Sequence, residues 1–312
     1  MQGDRPFLGI LLMLGFCVLA PLGDGMAKLL GGAVSLGLLL LTRFAFQAVA
    51  LLPLALWLGL SLRPPPGTGW LILARTLLHM TGIALMFTSL RYLPLADAVA
   101  IAFVMPFIML LLGHLVLGEE VGPHRMIACA VGFGGTLLVI QPNFAEVGAL
   151  ALLPLGVAVV FALFMLVTRQ IARALDPIAL QCLSGFQASA LLLPALLLLP
   201  EVAGLEWSRP APWALALMLA MGLLGTVAHL MMTWSLRFAP TSTLAQMQYL
   251  EIPFSTLIGW LIFRDLPNGL AALGIVVTMA AGLYIILREQ RLSRLPDAHS
   301  AGSPAPDPLR ES

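Results

Sequence analysis

Glu251 stands ten residues inside an apolar run from Thr241 to Phe263, with Gln246, Gln248 and Tyr249 just before it and Pro253 just after. On a helix those ten residues carry the carboxylate about 15 Å inward at 1.5 Å per residue. At such depth in an apolar run an ionisable group needs a partner or a wet cavity. Three chemistries suit it: holding a cationic group, taking up a proton as its surroundings dry, or pairing with an arginine. Pro253 frees a backbone carbonyl about one turn earlier, near Tyr249, which makes the stretch more polar still. Tyr249 is deep enough to stack on a flat molecule. Arg43 enters its own run from the other side to a depth of roughly 12 Å, level with Glu251 and Asp97, so it serves either as a contact for a bound molecule or as a fixed anchor between helices.

The remaining polar residues in apolar runs are few. His79 lies one turn beyond Arg75, and His229 and His114 stand alone in theirs. A solitary histidine of this kind is read as a packing residue, a ligand or a proton relay. Asp24 and Lys28 are four apart and share a helix face, the spacing of a local ion pair. Asp97 follows Pro94 in a first helical turn, where the helix dipole favours a carboxylate. Asp24, Lys28, Arg91 and Asp97 fall near one end of their runs, a mixed-charge cluster able to close as an outer gate. The opposite end carries Arg169, Arg173 and Arg237, with Thr241, Ser242 and Thr243 where the acid would stand. Cys17, Cys129 and Cys182 lack CxxC spacing and sit in apolar runs as packing residues. Neither a metal site nor a cofactor is expected.

The elements that position these residues follow from composition. Of 312 residues, 60% are hydrophobic and 10% charged, against roughly 25% charged in a soluble domain. Only lipid absorbs so much outward apolar surface. Net charge is +1, so nothing points to nucleic acid. Apolar runs divide into ten spans: 7–25, 33–60, 70–90, 95–117, 124–140, 148–168, 177–199, 213–236, 241–263 and 269–287. Residues 289–312 read as a disordered cytoplasmic tail rich in Pro, Ser, Ala and Asp. With both termini inside, ten Lys and Arg residues fall on the cytoplasmic side and four outside, as the positive-inside rule requires.

The chain also repeats. Phe46-Gln47-Ala48-Val49-Ala50-Leu51-Leu52 recurs 140 residues later as Phe186-Gln187-Ala188-Ser189-Ala190-Leu191-Leu192, with six of seven identities. Ser89-Leu90-Arg91-Tyr92-Leu93-Pro94 recurs 146 residues later as Ser235-Leu236-Arg237-Phe238-Ala239-Pro240. Five spans per unit is an odd number, so residues 7–141 and 147–288 form two repeats of opposite orientation. Glu251 has its counterpart at Val104 or Met105, so it is no shared scaffold. Gly132, Gly134 and Gly135 in span five, and Ala280-Ala281-Gly282 in span ten, are close-packing surfaces that would also serve a homodimer.

Over residues 7 to 288 the sequence resembles the drug/metabolite transporter superfamily, specifically chains with two EamA-type domains. The residues that carry the resemblance are Lys28, Arg43, Arg75, Pro94-Leu95-Ala96-Asp97-Ala98, Pro106 and Gly118-Glu119. In the second half they are Arg169, Pro240, Pro253 and the shortened Arg264-Asp265. The resemblance implies an all-α polytopic membrane protein, with ten transmembrane helices as two inverted five-helix repeats around a central cavity. It also implies transport of a small metabolite across the cytoplasmic membrane. Arg75 and the Pro94 to Ala98 pattern are most like the branch with S-adenosylmethionine and riboflavin uptake proteins, and amino-acid-like substrates are a further expectation. In that setting Glu251, Arg43, Tyr249, Gln246, His79 and Arg75 are the expected cavity and coupling residues.

Two other classes compete. An intramembrane enzyme would use Glu119-Glu120 and Arg125, but four residues separate Glu120 from Arg125 and Gly122-Pro123 breaks the helix between them. HExxH, GxSxG and Gly-rich phosphate loops are missing. A channel would need a polar stripe along several spans, whereas the polar groups here gather near mid-depth and at the ends. A secondary transporter by alternating access remains, driven by a substrate gradient, exchange or protons.

Overall fold

The computed structural model describes residues 6–105, 107–108, 111, 123–171, 174–238 and 248–293. These residues are helical throughout their ordered elements: α1 (Pro6–Leu30), α2 (Leu36–Trp57), α3 (Gly69–Ser89), α4 (Leu95–Ala102), α5 (Pro123–Val147), α6 (Leu153–Ile171), α7 (Pro177–Leu198), α8 (Pro212–Phe238), α9 (Glu251–Ile258) and α10 (Gly269–Ser293). Among them, six stretches are long and apolar enough to cross a bilayer, one of them Met126–Ile171, which covers most of α5 and all of α6. The chain is an all-helical, multi-pass membrane protein.

Local chemistry sets several boundaries. Ser35 caps α2 by accepting from the Leu38 amide at 3.4 Å, and Asp176 caps α7 by accepting from the Ile178 amide at 2.9 Å. Pro177 then supplies the first turn of α7, where its missing N–H is no loss. At the end of α9 a π turn, Gly259–Phe263, stops at Arg264, whose φ of 59° is left-handed. That reversal throws Asp265 back over the bundle.

Several boundaries differ from expectation. α1 runs on to Leu30 and α10 to Ser293, so residues 289–293, expected in the disordered tail, are helical. The break expected after Ile140 is absent, because α5 continues through Asn143 to Val147. Asn143 serves a structural purpose there, donating to the Val139 carbonyl one turn back at 2.8 Å and to Asp97 at 2.9 Å.

The helices pair as α1 with α8, α2 with α7, α3 with α6, and α5 with α10, while α1 and α4 both pack on α9. Glycine makes two of these pairs tight. A Cβ on Gly185 would stand 2.8 Å from the Ala48 amide and 2.9 Å from the Phe44 carbonyl, so α2 and α7 cross at backbone contact. On α5, a Cβ at Gly135 would meet the Gly274 carbonyl and the Thr278 amide of α10, each at 2.9 Å. Gly132 likewise packs on Phe107, leaving only Gly134 of that trio facing open space. The small residues of α5 and α10 are therefore largely used inside one chain.

Candidate substrate cavity

A cavity with about 950 Å³ of atom-free space, its mouth included, lies among α1, α2, α3, α4, α6, α8 and α9. Its walls are mostly apolar, with Phe16, Phe87, Phe103, Phe161 and several methionines. Against them stand Asp24, Arg43, His229, Gln248 and Glu251. A few convergent polar groups on an aromatic and aliphatic wall make up the usual form of a small-molecule site.

The charges are ordered. Asp24 interacts electrostatically with Arg43 on one side and with Glu251 on the other. Arg43 is 3% exposed, and its Nη2 lies 3.0 Å from Nδ1 of His229. Its guanidinium fills the space where a Cβ on Gly225 would stand. The wall is thus built from a long side chain on α2 that reaches across to a glycine on α8, with His229 one turn further on.

Arg43 and Glu251 both line the cavity; Arg43 lies against His229 with Asp24 as a neighbouring charge, and Glu251 also has Asp24 as a neighbouring charge. Asp24 itself does not pair with Lys28. Lys28 is one turn nearer the helix end, and its long stem carries the ammonium to Asp265 at 3.1 Å and to the Leu93 carbonyl at 2.9 Å. The shorter Asp24 side chain stays below, facing the cavity. Spacing of four residues puts two side chains on one face, but stem length and tertiary partners decide whether they meet.

Asp97 is buried near this same end, bonded to Asn143, with Lys28, Asp265 and Glu146 as its neighbouring charges. Beneath the Lys28 bridge the helices close tightly. A Cβ on Gly25 would lie 3.2 Å from Ile258 and one on Gly259 3.8 Å from Leu95, so α1, α4 and α9 converge there.

Three expected cavity residues lie elsewhere. Arg75 is fully buried between helices, donating from Nε to Thr168 at 3.0 Å and from Nη1 to Ser184 at 2.9 Å, with its guanidinium 4.8 Å from the Phe164 ring centroid. His79 is fully buried behind the wall, its ring 4.5 Å from that of His229 and stacked at 4.8 Å on Phe164. Tyr249 turns away toward Gly282 of α10 and packs on Phe103 at 5.5 Å. None of the three lines the cavity, and depth along the chain does not reveal which way a helix face turns. Gln246 falls outside the described residues, as do Pro106, Gly118-Glu119, Arg173, Pro240, Thr241 to Thr243 and the tail from 294. Gln248 and His229, outside the expected set of cavity and coupling residues, line the cavity. The glycine at position 225, four before His229, was the available sign that something large packs there.

Among the described residues no cluster of His, Cys, Asp and Glu is arranged to hold a metal ion.

Comparison with known proteins agrees with this architecture. The EamA-like transporter family matches residues 7–141 and again residues 148–288. A protein of Rhizobium johnstonii named riboflavin transporter is 31% identical over 233 residues, 73% of each chain. One of Rickettsia prowazekii named S-adenosylmethionine uptake transporter is 24% identical over 287 residues, covering 91% of this chain and 94% of its own. A Vibrio cholerae riboflavin transporter is 28% identical over 81% of this chain and 84% of its own. A crystal structure with 19% identity shares the fold at a TM-score of 0.64, over 93% of this chain and all of that one. The chain therefore belongs to the EamA-like transporter family of the drug/metabolite transporter superfamily, and it is a small-metabolite transporter rather than an enzyme or a channel.

Proposed function

We propose that the protein is a secondary transporter of the cytoplasmic membrane that carries a flat heteroaromatic metabolite through the central cavity by alternating access. The observation that carries this reading is the placement of Asp24, Arg43 and Glu251 on one apolar, phenylalanine-lined cavity within the bundle. Phenylalanine faces suit a fused ring, and the ordered charges suit its polar substituents. Relatives named for riboflavin and S-adenosylmethionine support such a substrate, since both molecules join a fused heteroaromatic ring to polar groups.

Ten spans in two inverted five-helix halves, with both termini cytoplasmic, make up the proposed frame. The observed pairings support it: adding or subtracting five turns α1 with α8 into α6 with α3, and returns α2 with α7, α4 with α9, and α5 with α10 to themselves. Two arginine latches support it as well. Arg91, just past α3, donates to the Val34 carbonyl beside the cap of α2 at 3.1 Å, and Arg237, ending α8, donates to Asp176, the cap of α7, at 3.2 Å. They lie at opposite ends of the bundle. Glu251 lines the cavity together with Met105, one of the two residues at its counterpart position.

In this reading the bridge from Lys28 to Asp265, with Asp97 close by, is the outer gate, and Glu251 with Asp24 handles substrate charge or a proton. Uptake into proteoliposomes tests it, using riboflavin, S-adenosylmethionine and an amino-acid panel with and without a pH gradient. Saturable uptake of a ring-bearing member is the expected result. Uptake confined to ringless amino acids would overturn the substrate class.

A further inference from the structure

Nδ1 of His229 has two neighbours that ask opposite things of it. Nη2 of Arg43 lies 3.0 Å away and can only donate, while the carbonyl of Gly225, one turn back on α8, lies 3.1 Å away and can only accept. One ring nitrogen carries either a lone pair or a proton. The two hydrogen bonds therefore exclude each other: Arg43 is held by the neutral ring protonated on Nε2, and Gly225 is served by any form protonated on Nδ1.

We propose that His229 is the positioning residue of the cavity, its Nδ1 holding Arg43 in the wall when bare and releasing it toward Asp24 and Glu251 when protonated. The inference rests on the transport reading of the cavity. Its geometric basis is independent of the substrate. Arg43 and His229 both line the cavity with Asp24 and Glu251, so a released guanidinium has two carboxylates within the same chamber. Gly225 leaves room for the guanidinium where a Cβ would stand, and the carbonyl of that same residue is the competing partner of Nδ1.

The surroundings of His229 are set by several helices. From α1 come Asp24 and the ring of Phe16, edge-to-face with the imidazole at 5.7 Å; from α2, Arg43; from α9, Glu251. From α3 come His79 and, beyond it, Arg75. Of the described charged or titratable residues of α6 and α7, Arg169 and Cys182, neither is among the charges that act on His229. Two arginines and a second histidine thus stand near His229, which shares its chamber with two carboxylates. A proton arriving at its Nδ1 redistributes the charges of the wall without moving the backbone.

Two measurements test the proposal, and the first needs no substrate. In nitrogen-15 histidine-labelled protein in lipid nanodiscs, Nδ1 of His229 resonates as an unprotonated ring nitrogen at neutral pH. In Arg43→Met, which removes the donor, it becomes protonated and turns to Gly225. A protonated Nδ1 in the wild type, or no change in Arg43→Met, overturns the proposal.

The second uses uptake of riboflavin or S-adenosylmethionine, whichever the wild type carries. His229→Asn keeps an acceptor near Nδ1 but cannot be protonated, so it transports with a flattened pH profile. His229→Leu loses the hold on a charged donor and raises KM about tenfold or more, the scale of one hydrogen bond to a charged group. A wild-type pH profile in His229→Asn, or a wild-type KM in His229→Leu, overturns it. Lack of uptake by the wild type speaks against the transport reading alone and leaves the resonance test to decide this one.

Discussion

Lys28 on α1 is bonded to Asp265, 237 residues downstream, and not to Asp24, four residues before it on the same helix. The bridge therefore joins the first sequence repeat to the second, and in the proposed cycle it must break whenever the cavity opens at that end.

Removing either charge should shift the conformational balance. The pair is part-exposed, with side chains 17% and 39% accessible, so its contribution is up to about 1 kcal/mol, a severalfold change in population. In Lys28→Met or Asp265→Asn, a cysteine replacing Ala20 in the cavity wall should react severalfold faster with a membrane-impermeant thiol reagent added from the Lys28 side. The double variant Lys28→Asp with Asp265→Lys should return to the wild-type rate. Unchanged labelling in both single variants would remove the bridge from the gate.

The two cavity acids should separate substrate binding from energy coupling. If they handle a proton, Glu251→Gln and Asp24→Asn each retain exchange but lose accumulation driven by a pH gradient. If instead they hold a cationic substrate group, both variants weaken binding at every pH. Normal uptake by both variants, with and without the gradient, would take these residues out of the mechanism.

Arg75 should behave as an anchor. Its two hydrogen bonds to Thr168 and Ser184 tie α3 to α6 and α7, and each bond from a charged donor is worth about 1.5–3 kcal/mol. Arg75→Gln should lower the yield and melting temperature of folded protein, while transport per folded molecule stays near wild type. A well-folded Arg75→Gln protein with lost transport would make it a site residue after all.

Gly185→Val should destabilise through overpacking, since its new Cβ would press on the backbone of α2; about 1–3 kcal/mol is the usual scale. Gly134→Val, facing open space, is the control and should melt like the wild type. Equal melting of the two variants would mean that α2 and α7 are not in backbone contact.

Much of the frame was legible because lipid imposes a simple rule on sequence. Apolar runs located the helices, and depth along a run brought Arg43 and Glu251 to one level. Rotation about a helix axis was less legible, since in a run apolar on every face nothing marks which side meets protein. Arg75, His79 and Tyr249 are expected on the cavity wall from their place along a run, and none of them lines it, for that reason. Asp24 was drawn to Lys28 by spacing alone, when the partner of Lys28 came from a turn reversed by one left-handed residue, Arg264. The role of Asn143 was hidden too: a residue typical of loops continues α5 because its amide finds Asp97.

The glycine contacts carry a mechanical consequence. Gly185 against Ala48, and Gly135 against Gly274, are places where backbone approaches backbone across the two sequence repeats, with little side chain between to compress or re-pack. Sliding along such a seam would drive Cβ atoms into main chain, whereas pivoting about it leaves the contact intact. In the proposed cycle these two crossings would serve as an axle, α2 with α7 and α5 with α10 holding while the other helices move around the chamber they enclose.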